Sequence, residues 1–243
     1  MEVFTIMTER NENRRIALIQ AGGISTRNVL SIPNQFVMVD DKPVIVYVLE
    51  AYEKHPAINE IDVVCLSGWE KTVSSYAERY HITKLNKIIT GGATIIQSTV
   101  RGLKDISSDL DNDDVVILQE ATRPLISEGL ISKIISSYNK YGDSVLIRPM
   151  SEYVQVERTN DSYSLCNRDS LFSLESPEIY NANRLLSFID RLENGVDDDG
   201  SCCALLINKL GIKIHYCENT ANNPKIIRQE DLYYFKALRQ VLL

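Results

Sequence analysis

Short apolar runs recur along the first part of the sequence and limit the folds that the chain can adopt. They occupy residues 15–20, 61–66, 87–90, 114–118 and 144–147. Because these runs are apolar almost throughout and do not alternate strictly with polar residues, they are typical of strands that are buried on both faces. Stretches with helical periodicity separate them. This alternation predicts an α/β fold with a mainly parallel sheet flanked by helices.

The best-defined helix is expected after Ser127. Its apolar residues repeat at the spacing of one helical face, at Leu130, Ile131, Ile134, Ile135 and Tyr138. Ser127 is a suitable N-cap, and Gly142 is a suitable stop. The segments 44–52 and 94–103 are also expected to be helical.

A single domain accounts for the length of the chain. The 243 residues, with 44% hydrophobic content, can bury one sizeable core. We expect a polar tail over residues 1–13 and one domain over residues 14–243. Within that domain, polar and aromatic residues alternate over about residues 151–174. This pattern predicts a protruding β-arm directed toward a partner subunit.

Composition and charge exclude several classes of protein. A net charge of −7 argues against a general nucleic-acid binder, which concentrates basic residues on one face. The sequence contains neither a signal-peptide pattern nor a run of roughly 20 apolar residues, so we expect a soluble cytoplasmic protein without a membrane segment. The five cysteines lack the spacing of a metal site. His55, His81 and His215 have no nucleophile motif around them, so each is interpreted as structural.

Three loops follow predicted strands and therefore lie at the carboxyl edge of the expected sheet, where ligands of such folds bind. The first loop has small residues that allow a ligand close to the backbone, followed by an arginine suited to phosphate, and comprises Ala21, Gly22, Gly23 and, further on, Arg27. Consecutive backbone N–H groups can form a nest around a triphosphate. An ordinary tight turn is the alternative interpretation of these glycines.

The other two loops carry further candidates. Gly92 and Ala93, with Ser98 one turn into the next helix, form a second glycine-containing loop whose alternative is an ordinary strand-to-helix turn. In the third loop, Glu120 is suited to hold Mg²⁺ directly or through water, and Arg123 is suited to bind a phosphate. The alternative for this pair is a surface contact between Glu and Arg.

The order of these elements along the chain resembles one known family. The set comprises Ala21-Gly22-Gly23 with Arg27, Pro33 with Gln35-Phe36, Lys42-Pro43, Gly91-Gly92-Ala93 with Ser98, Ala121 with Arg123-Pro124, and Glu230-Asp231-Leu232. It resembles the family of 2-C-methyl-D-erythritol 4-phosphate cytidylyltransferase and ribitol 5-phosphate cytidylyltransferase over about residues 14–238. No single motif is specific, whereas the ordered set is.

The resemblance implies a fold and a reaction. The fold is a Rossmann-like domain whose β-arm joins a homodimer. In the reaction, which uses Mg²⁺, the phosphate of a small sugar alcohol attacks the α-phosphate of CTP, releasing pyrophosphate and giving a CDP-alcohol. Such a product belongs to the synthesis of cell-surface polysaccharide or of isoprenoid precursors.

The resemblance also implies roles for individual residues. Arg27 and Lys225 match catalytic groups at the triphosphate, and Glu120 lies near the metal. The residues that match the nucleotide-binding segments are Ala21, Gly22, Gly23, Gly92, Ala93 and Ser98. Arg123 and Arg168 match arginines that bind the phosphate of the second substrate.

Several positions depart from the family pattern. Asn34 takes the place of a lysine, and the loss of one charge-stabilising group typically costs about 3 to 4 kcal/mol, or roughly 10² to 10³ in rate. The other departures are Ser25 for glycine, Ile95 for arginine, Glu120 for aspartate, Tyr153 for threonine, and Ser201-Cys202-Cys203 for a Thr-Asp-Asp segment. The acidic cluster Asp197-Asp198-Asp199 is interpreted as a turn that opens a helix at Ser201, with a metal site as its alternative.

Three functions follow from these observations and stay open. The first is an active cytidylyltransferase, for which Lys225 or another nearby cation partly replaces the missing lysine. The second is a catalytically impaired family member that acts as a nucleotide-binding or structural dimer, which Asn34, Ser25 and Cys202 favour. The third is a nucleotidyltransferase with another base or acceptor. If the pocket is otherwise ready, Asn34→Lys is expected to increase pyrophosphate release.

Overall fold

A computed structural model describes residues 13–23, 32–150, 154–159, 162–189, 203–209 and 211–242. In chain order its strands are β1 (Arg15–Ala21), β2 (Met38–Val39), β3 (Lys42–Pro43), β4 (Glu60–Cys65), β5 (Leu85–Thr90), β6 (Val115–Glu120), β7 (Ser144–Pro149), β8 (Val154–Thr159), β9 (Ser162–Asn167), β10 (Phe172–Asn181) and β11 (His215–Glu218). The helices are α1 (Val44–Lys54), α2 (Glu70–Arg79), α3 (Ile95–Ile106), α4 (Glu128–Tyr141), α5 (Ala182–Leu186), α6 (Cys203–Lys209) and α7 (Gln229–Leu242).

Seven strands form one sheet in the order β11–β7–β10–β6–β1–β4–β5. The pairs β1–β4, β1–β6, β4–β5 and β7–β11 are parallel, and β10 runs antiparallel to both of its neighbours. The α/β prediction of a mainly parallel sheet flanked by helices is therefore confirmed. All five predicted strands are present, and their bounds differ from the predicted ones by up to two residues.

The central strand β1 shows why the sheet is covered on both faces. Ala17 and Ile19 pack into a core that includes residues of α1, α2 and α4, whereas Ile16 and Leu18 pack into a second core with residues of α3, α5 and α6. Successive side chains of a strand point to opposite faces, so an apolar run without polar alternation supplies both cores.

The helix ends follow the predicted capping chemistry. The Oγ of Ser127 accepts a hydrogen bond from the backbone N–H of Leu130 at 3.2 Å, which caps α4. Gly142 ends that helix with a φ of +82°, a conformation that glycine adopts without steric cost. The helices expected at 44–52 and 94–103 are present as α1 and α3, each slightly longer than predicted.

The predicted arm is a β-hairpin outside the main sheet. Strands β8 and β9 pair antiparallel with each other in a sheet of their own. The hairpin ends at Asn167, and Phe172 begins β10, which pairs with β7. The hairpin covers less than the predicted segment 151–174, because the residues from Phe172 onward belong to the main sheet, and its role toward a partner stays a prediction.

The C-terminal helix α7 anchors the segment that precedes it. Phe235 is fully buried with Ile226 and Val39 in a small third core. The carboxylate of Asp231 accepts hydrogen bonds from the backbone N–H groups of Ile227 and Arg228, both at 2.8 Å. The Glu-Asp-Leu element near the end of the sequence thus serves the start of a helix, as N-terminal acidic residues commonly do.

Some expectations fall outside the described residues. These include most of the polar tail, the acidic cluster at 197–199 and Tyr153. In the part of the chain that the structure describes, helices long and apolar enough to cross a membrane are absent. His55 is structural as expected: its Nε2 lies 2.9 Å from the Oγ of Ser132, and its Nδ1 accepts from the N–H of Ala57.

Glu178 of β10 should give the protein a measurable dependence of stability on pH. Its side chain is 9% exposed, and burial raises the pKa of its carboxyl from 4.5 to about 7. Between these values the folded state binds the proton more tightly than the unfolded state does, so the contribution of Glu178 to stability falls as pH rises.

In the Glu178→Gln variant the side chain at this position cannot ionise. The variant should therefore not show this fall in stability as pH rises. The free energy of unfolding of the variant, relative to the wild type, should rise by about 3 kcal/mol between pH 4.5 and pH 8, at 1.36 kcal/mol per pKa unit. Urea unfolding of both proteins at several pH values measures the difference. A difference that stays constant with pH would contradict this account of the carboxyl.

Candidate active site

The first two predicted loops meet at the carboxyl edge of the sheet. A Cβ atom added at Gly22, after β1, or at Gly91, after β5, would lie only 2.8 Å from the Oγ of Ser98. Real Cβ atoms essentially never approach a neighbour this closely, so a side chain at either position would force Ser98 or the loop to shift. Ser98 is 3% exposed, and its Oγ accepts from the backbone N–H of Gly92 at 3.0 Å. The structure thus brings Gly22, Gly92 and Ser98 together.

The first turn of α3 fixes the second loop. The hydroxyl of Thr94 accepts from the N–H of Gln97 at 3.1 Å, and the Oε1 of Gln97 accepts from the N–H of Ala93 at 3.0 Å. These bonds describe a tight strand-to-helix turn, which was the alternative interpretation of this loop. The turn geometry and a nucleotide-binding role are compatible, because the same bonds hold the loop in one shape at the edge of the sheet.

The third loop carries one end of a continuous set of ion pairs. One carboxylate oxygen of Glu120 pairs with the Nζ of Lys225, and the other lies 2.5 Å from the Nε of Arg123. The Nη1 of Arg123 is in turn 3.6 Å from the Oε1 of Glu175, which lies 2.7 Å from the Nε of Arg148. We call these five residues the ion-pair chain; its charges alternate from Lys225 to Arg148 and sum to one positive charge.

The middle of the ion-pair chain is buried and hydrogen-bonded. Arg123 is 9% exposed and Glu175 is 6% exposed. The Nη1 of Arg123 donates to the carbonyl of Asn223 at 2.8 Å, and the Nδ2 of Asn219 donates to the Oε2 of Glu175 at 2.9 Å. The Glu120–Arg123 contact of the alternative interpretation is present, but it is continuous with a buried network and is not confined to the surface. The network is not fully hydrogen-bonded: the Nε of Arg148 lies 2.7 Å from the Oε1 of Glu175 without the geometry of a hydrogen bond, and the Oδ1 of Asn223 has no partner among the described residues.

The two cations around Glu120 set its protonation state. Burial disfavours the charged carboxylate, but Arg123 and Lys225 outweigh it and hold the pKa of Glu120 below its ordinary value. Glu120 is therefore ionised at neutral pH. A carboxylate in this state can keep Lys225 and Arg123 in fixed positions.

The surroundings of Glu120 bear on its suitability for Mg²⁺. Among the described residues, no group of three or more His, Cys, Asp or Glu side chains could hold a metal ion. Mg²⁺ in nucleotide sites commonly takes only one or two carboxylates, and substrate phosphates and water supply the other ligands. A single carboxylate at a strand end fits that donor set. Because both oxygens of Glu120 are engaged by cations, a metal would have to share or displace one of these contacts.

The remaining predicted residues lie in different places. Arg168 lies on the turn that follows the hairpin, where its Nε is 3.5 Å from the Oδ1 of Asp169. Ala21 ends β1 in the core, and Gly23 is exposed two residues later. Arg27 belongs to the segment 24–31, outside the described residues.

Asn34 stands where the resemblance led us to expect a lysine. Its side chain is buried, at 2% exposure, in the turn Asn34–Phe36. The Nδ2 donates to the backbone carbonyls of Ile226 at 3.2 Å and Ile227 at 3.0 Å. The side-chain amide of Asn34 therefore contacts the segment that carries Lys225 through the backbone carbonyls of that segment.

Sequence reasoning missed part of the ion-pair chain. Arg148 comes directly after the predicted strand 144–147, so the rule that identified Glu120 would have found it as well. Glu175, Asn219 and Asn223 gave no such signal. Glu175 reaches this edge of the sheet only because β10 runs antiparallel.

Comparisons with known proteins place these observations in context. The family model described as "IspD: 2-C-methyl-D-erythritol 4-phosphate cytidylyltransferase" matches residues 15–240. A ribitol-5-phosphate cytidylyltransferase of Lacticaseibacillus paracasei is 30% identical, covering 91% of this chain and 96% of that protein. A 2-C-methyl-D-erythritol 4-phosphate cytidylyltransferase of Clostridium botulinum is 28% identical, covering 90% and 95%.

Solved structures share the fold. The crystal structure of 4-diphosphocytidyl-2C-methyl-D-erythritol synthase from Anaerococcus prevotii superposes with a TM-score of 0.78 at 21% identity, covering 94% of this chain and 96% of that one. A second, 2-C-methyl-D-erythritol 4-phosphate cytidylyltransferase from Thermus thermophilus, gives 0.72 at 21% identity, covering 92% and 98%. The Rossmann-like fold is thereby confirmed.

Gly22→Ala should destabilise the protein through its contact with Ser98. The new Cβ would lie 2.8 Å from the Oγ of Ser98, which the bond to Gly92 holds in place. Forced overpacking of this kind typically costs about 1–3 kcal/mol. Urea unfolding measures the free energy directly.

Gly23→Ala is the matched control, since its Cβ would meet nothing within 4 Å. Its effect should stay within about 0.5 kcal/mol. The double variant Gly22→Ala/Ser98→Ala should recover part of the loss, because neighbouring sites are not additive. Equal effects of Gly22→Ala and Gly23→Ala would show that the loops do not pack as described.

Proposed function

The chain belongs to the 2-C-methyl-D-erythritol 4-phosphate cytidylyltransferase family, and we propose that it joins CTP to a small sugar-alcohol phosphate with release of pyrophosphate. Cytidylyltransferase activity follows from the family. Two points go beyond the family and are proposed here: which sugar-alcohol phosphate is the acceptor, and that the site is active although Asn34 replaces a lysine. The observation that supports them is the ion-pair chain, which holds three cations at the edge of the sheet where β6 and its neighbour β1 end.

The reaction requires charge stabilisation and alignment. An oxygen of the acceptor phosphate attacks the α-phosphorus of CTP, a new P–O bond forms, and the bond to the β-phosphate breaks so that pyrophosphate leaves with the electron pair. Both reactants are anionic, so the protein must bring negative groups together and neutralise the charge that collects on the leaving group. Fixed cations and backbone N–H groups suit both tasks.

On the nucleotide side, the proposed contacts come from the two glycine loops. Ala21, Gly22 and Gly23 would place backbone N–H groups along the phosphates, with Arg27 pairing with their oxygens. Gly92, Ala93 and Ser98 would hold the cytidine. Lys225, fixed beside Glu120, would contribute its positive charge at the phosphates. The support is that Ser98 packs the two loops against each other.

On the acceptor side, we propose that Arg123 and Arg148 face the phosphate of the polyol, together with Arg168. Glu175 keeps the first two guanidinium groups oriented, since its Oε1 lies close to both. Arginine suits this role because its planar fork matches two phosphate oxygens. Relatives that are 30% identical act on ribitol 5-phosphate by name, which makes ribitol 5-phosphate the first candidate.

Mg²⁺ is proposed as the cofactor, with Glu120 as the side chain that would hold it. When bound, the ion supplies positive charge that neutralises phosphate oxygens. Glu120 also organises Lys225 and Arg123, so its role at the site does not depend on the metal alone.

The hairpin is proposed to join two copies of the chain. Val156 and Leu165 pair across its strands and are 59% and 78% exposed, and Tyr163 on the same face is 70% exposed. Apolar side chains that project together on one face of an isolated hairpin favour a partner surface. A two-stranded sheet is also marginal by itself, so a second copy would stabilise it.

CTP should stabilise the purified protein more than ATP, GTP or UTP does. A ligand at about 100 times its Kd stabilises the native state by about 2.7 kcal/mol, which thermal unfolding in the presence of Mg²⁺ detects. Pyrophosphate release should then occur with ribitol 5-phosphate, with 2-C-methyl-D-erythritol 4-phosphate as the comparison. No shift with any nucleotide would contradict the proposal and favour a non-catalytic member of the family.

Arg27→Ala is the variant that ties this activity to the site. It should lower kcat/KM by roughly 10² to 10³ while leaving the melting temperature of the free protein unchanged. Retained activity would remove Arg27 from the mechanism.

Leu165→Asp should convert the dimer to monomers. A charge placed on the exposed apolar face of the hairpin would be buried without a partner in the interface, which is strongly unfavourable. Sedimentation velocity at several concentrations reads the oligomeric state. Val241→Asp is the control, because Val241 is 82% exposed on α7. A wild-type protein that is monomeric at micromolar concentration would contradict the interface.

A further inference from the structure

The turn Asn34–Phe36 contacts three separate parts of the molecule through three successive side chains. Asn34, Gln35 and Phe36 are each 2% exposed, although two of them are polar. Buried amides are costly unless they are hydrogen-bonded, so their partners show what the turn is for. We call this turn the amide clasp.

Gln35 holds the first glycine loop. Its Nε2 donates to the carbonyl of Ala21 at 2.7 Å and to the carbonyl of Gly23 at 3.0 Å. The two acceptors lie on either side of Gly22, whose position is fixed from the other direction by Ser98. One side chain therefore sets the path of the loop as it leaves β1.

Asn34 holds the segment that carries Lys225. Its Nδ2 donates to the carbonyls of Ile226 and Ile227, the two residues that follow Lys225. The same segment is bound from the β6 side, because the N–H of Ile226 donates to the carbonyl of Thr122 at 2.8 Å. The backbone directly after Lys225 is thus held by both Asn34 and Thr122.

Phe36 anchors the clasp in the core. Its ring stacks on the ring of Trp69, with centroids 4.1 Å apart and an angle of 2° between the planes. Because the turn is fixed to the start of α2 in this way, the two amides act from a rigid base. A side chain on a rigid base can position a distant segment, whereas one on a flexible loop cannot.

The chemistry of the amide differs from that of a lysine at this position. A primary amide has two donors, and those of Asn34 match two neighbouring carbonyls. A lysine at 2% exposure would lose the planar geometry that meets both carbonyls, and it would place its charge on a longer, flexible stem.

We propose that Asn34 and Gln35 are positioning residues that set the distance between the Ala21–Gly23 loop and Lys225. This inference rests on the proposed function, since those two segments are the ones assigned to the triphosphate. Neither amide is assigned a contact with the nucleotide. The positive charge at the phosphates comes from Lys225, and Asn34 determines the position of the Lys225 ammonium group.

Asn34→Lys should lower the activity, whereas the sequence alone led us to expect an increase in pyrophosphate release. The lysine would replace the short planar donor by an ammonium on a longer stem, which should displace the Lys225 segment, so kcat/KM for CTP should fall at least tenfold. A value of kcat/KM above that of the wild type would refute the positioning role of Asn34, because it would mean that a cation at position 34 serves the reaction better than the amide.

Asn34→Leu and Gln35→Met test the clasp without adding charge. Both remove the donors at similar side-chain size. Each should raise KM for Mg·CTP and lower kcat at least tenfold, and should change KM for ribitol 5-phosphate less than twofold. A merely structural role would reduce the active fraction and leave both KM values unchanged, and that result would overturn the proposal.

Ile106→Ala is the control for general loss of stability. Ile106 is 1% exposed at the end of α3 remote from the loops, so its truncation lowers the melting temperature without touching the clasp. All assays are run well below the melting temperature of every variant. If Ile106→Ala raised KM for Mg·CTP as the clasp variants do, the selective effect would be refuted.

Hydrogen exchange separates failure of the clasp from failure of the proposed function. In Asn34→Leu, the amides of Ile226 and Ile227 should exchange at least tenfold faster than in the wild type, while those of β6 stay unchanged. This measurement needs no nucleotide. Unchanged exchange at 226–227 would overturn the clasp even in an active enzyme, whereas faster exchange in an inactive wild type would leave the clasp intact and reject the activity.

Discussion

Burial of the central sheet on both faces is the constraint on which the rest of the molecule depends. The side chains of β1 alternate between two cores, so the interior of the sheet has little room for polar chemistry. Polar and charged groups are therefore concentrated where the strands end. Glu120 and Arg148 occupy such ends, and the glycine loops after β1 and β5 meet beside them. The position of the site is a consequence of how the core is sealed.

The sequence predicted the parts that depend on local pattern. Apolar runs identified the strands, and Ser127 and Gly142 identified the ends of one helix, because capping involves only a few neighbouring residues. Glu120 and Arg123 were found because they follow a strand. The ion-pair chain was not, since Glu175 joins it from an antiparallel strand and Lys225 from a distant segment. Contacts between residues about 50 to 100 positions apart leave no periodic trace.

Asn34 illustrates how a substitution can mislead when it is considered alone. From the sequence alone, the replacement of a lysine by Asn34 indicates only the loss of a positive charge. In the structure its two donors are both used on the Lys225 segment, and its neighbour Gln35 holds the opposite loop. What matters physically is then the position of Lys225 relative to that loop. The amides of Asn34 and Gln35 influence that position through their hydrogen bonds. Electrostatic stabilisation depends on preorganised position as much as on the number of charges.

The reversed direction of β10 gives this edge of the sheet a residue that the parallel strands do not supply. The glycine loops follow parallel strands near the start of the chain, whereas Glu175 arrives at the same edge from the opposite direction and contacts Arg148. The same strand is bonded to the other end of the ion-pair chain, because Ser176 accepts from the N–H of Glu120 at 3.1 Å and from the Nδ2 of Asn223 at 2.8 Å. A substitution on this one strand is therefore felt both at Arg148 and at the segment that leads to Lys225.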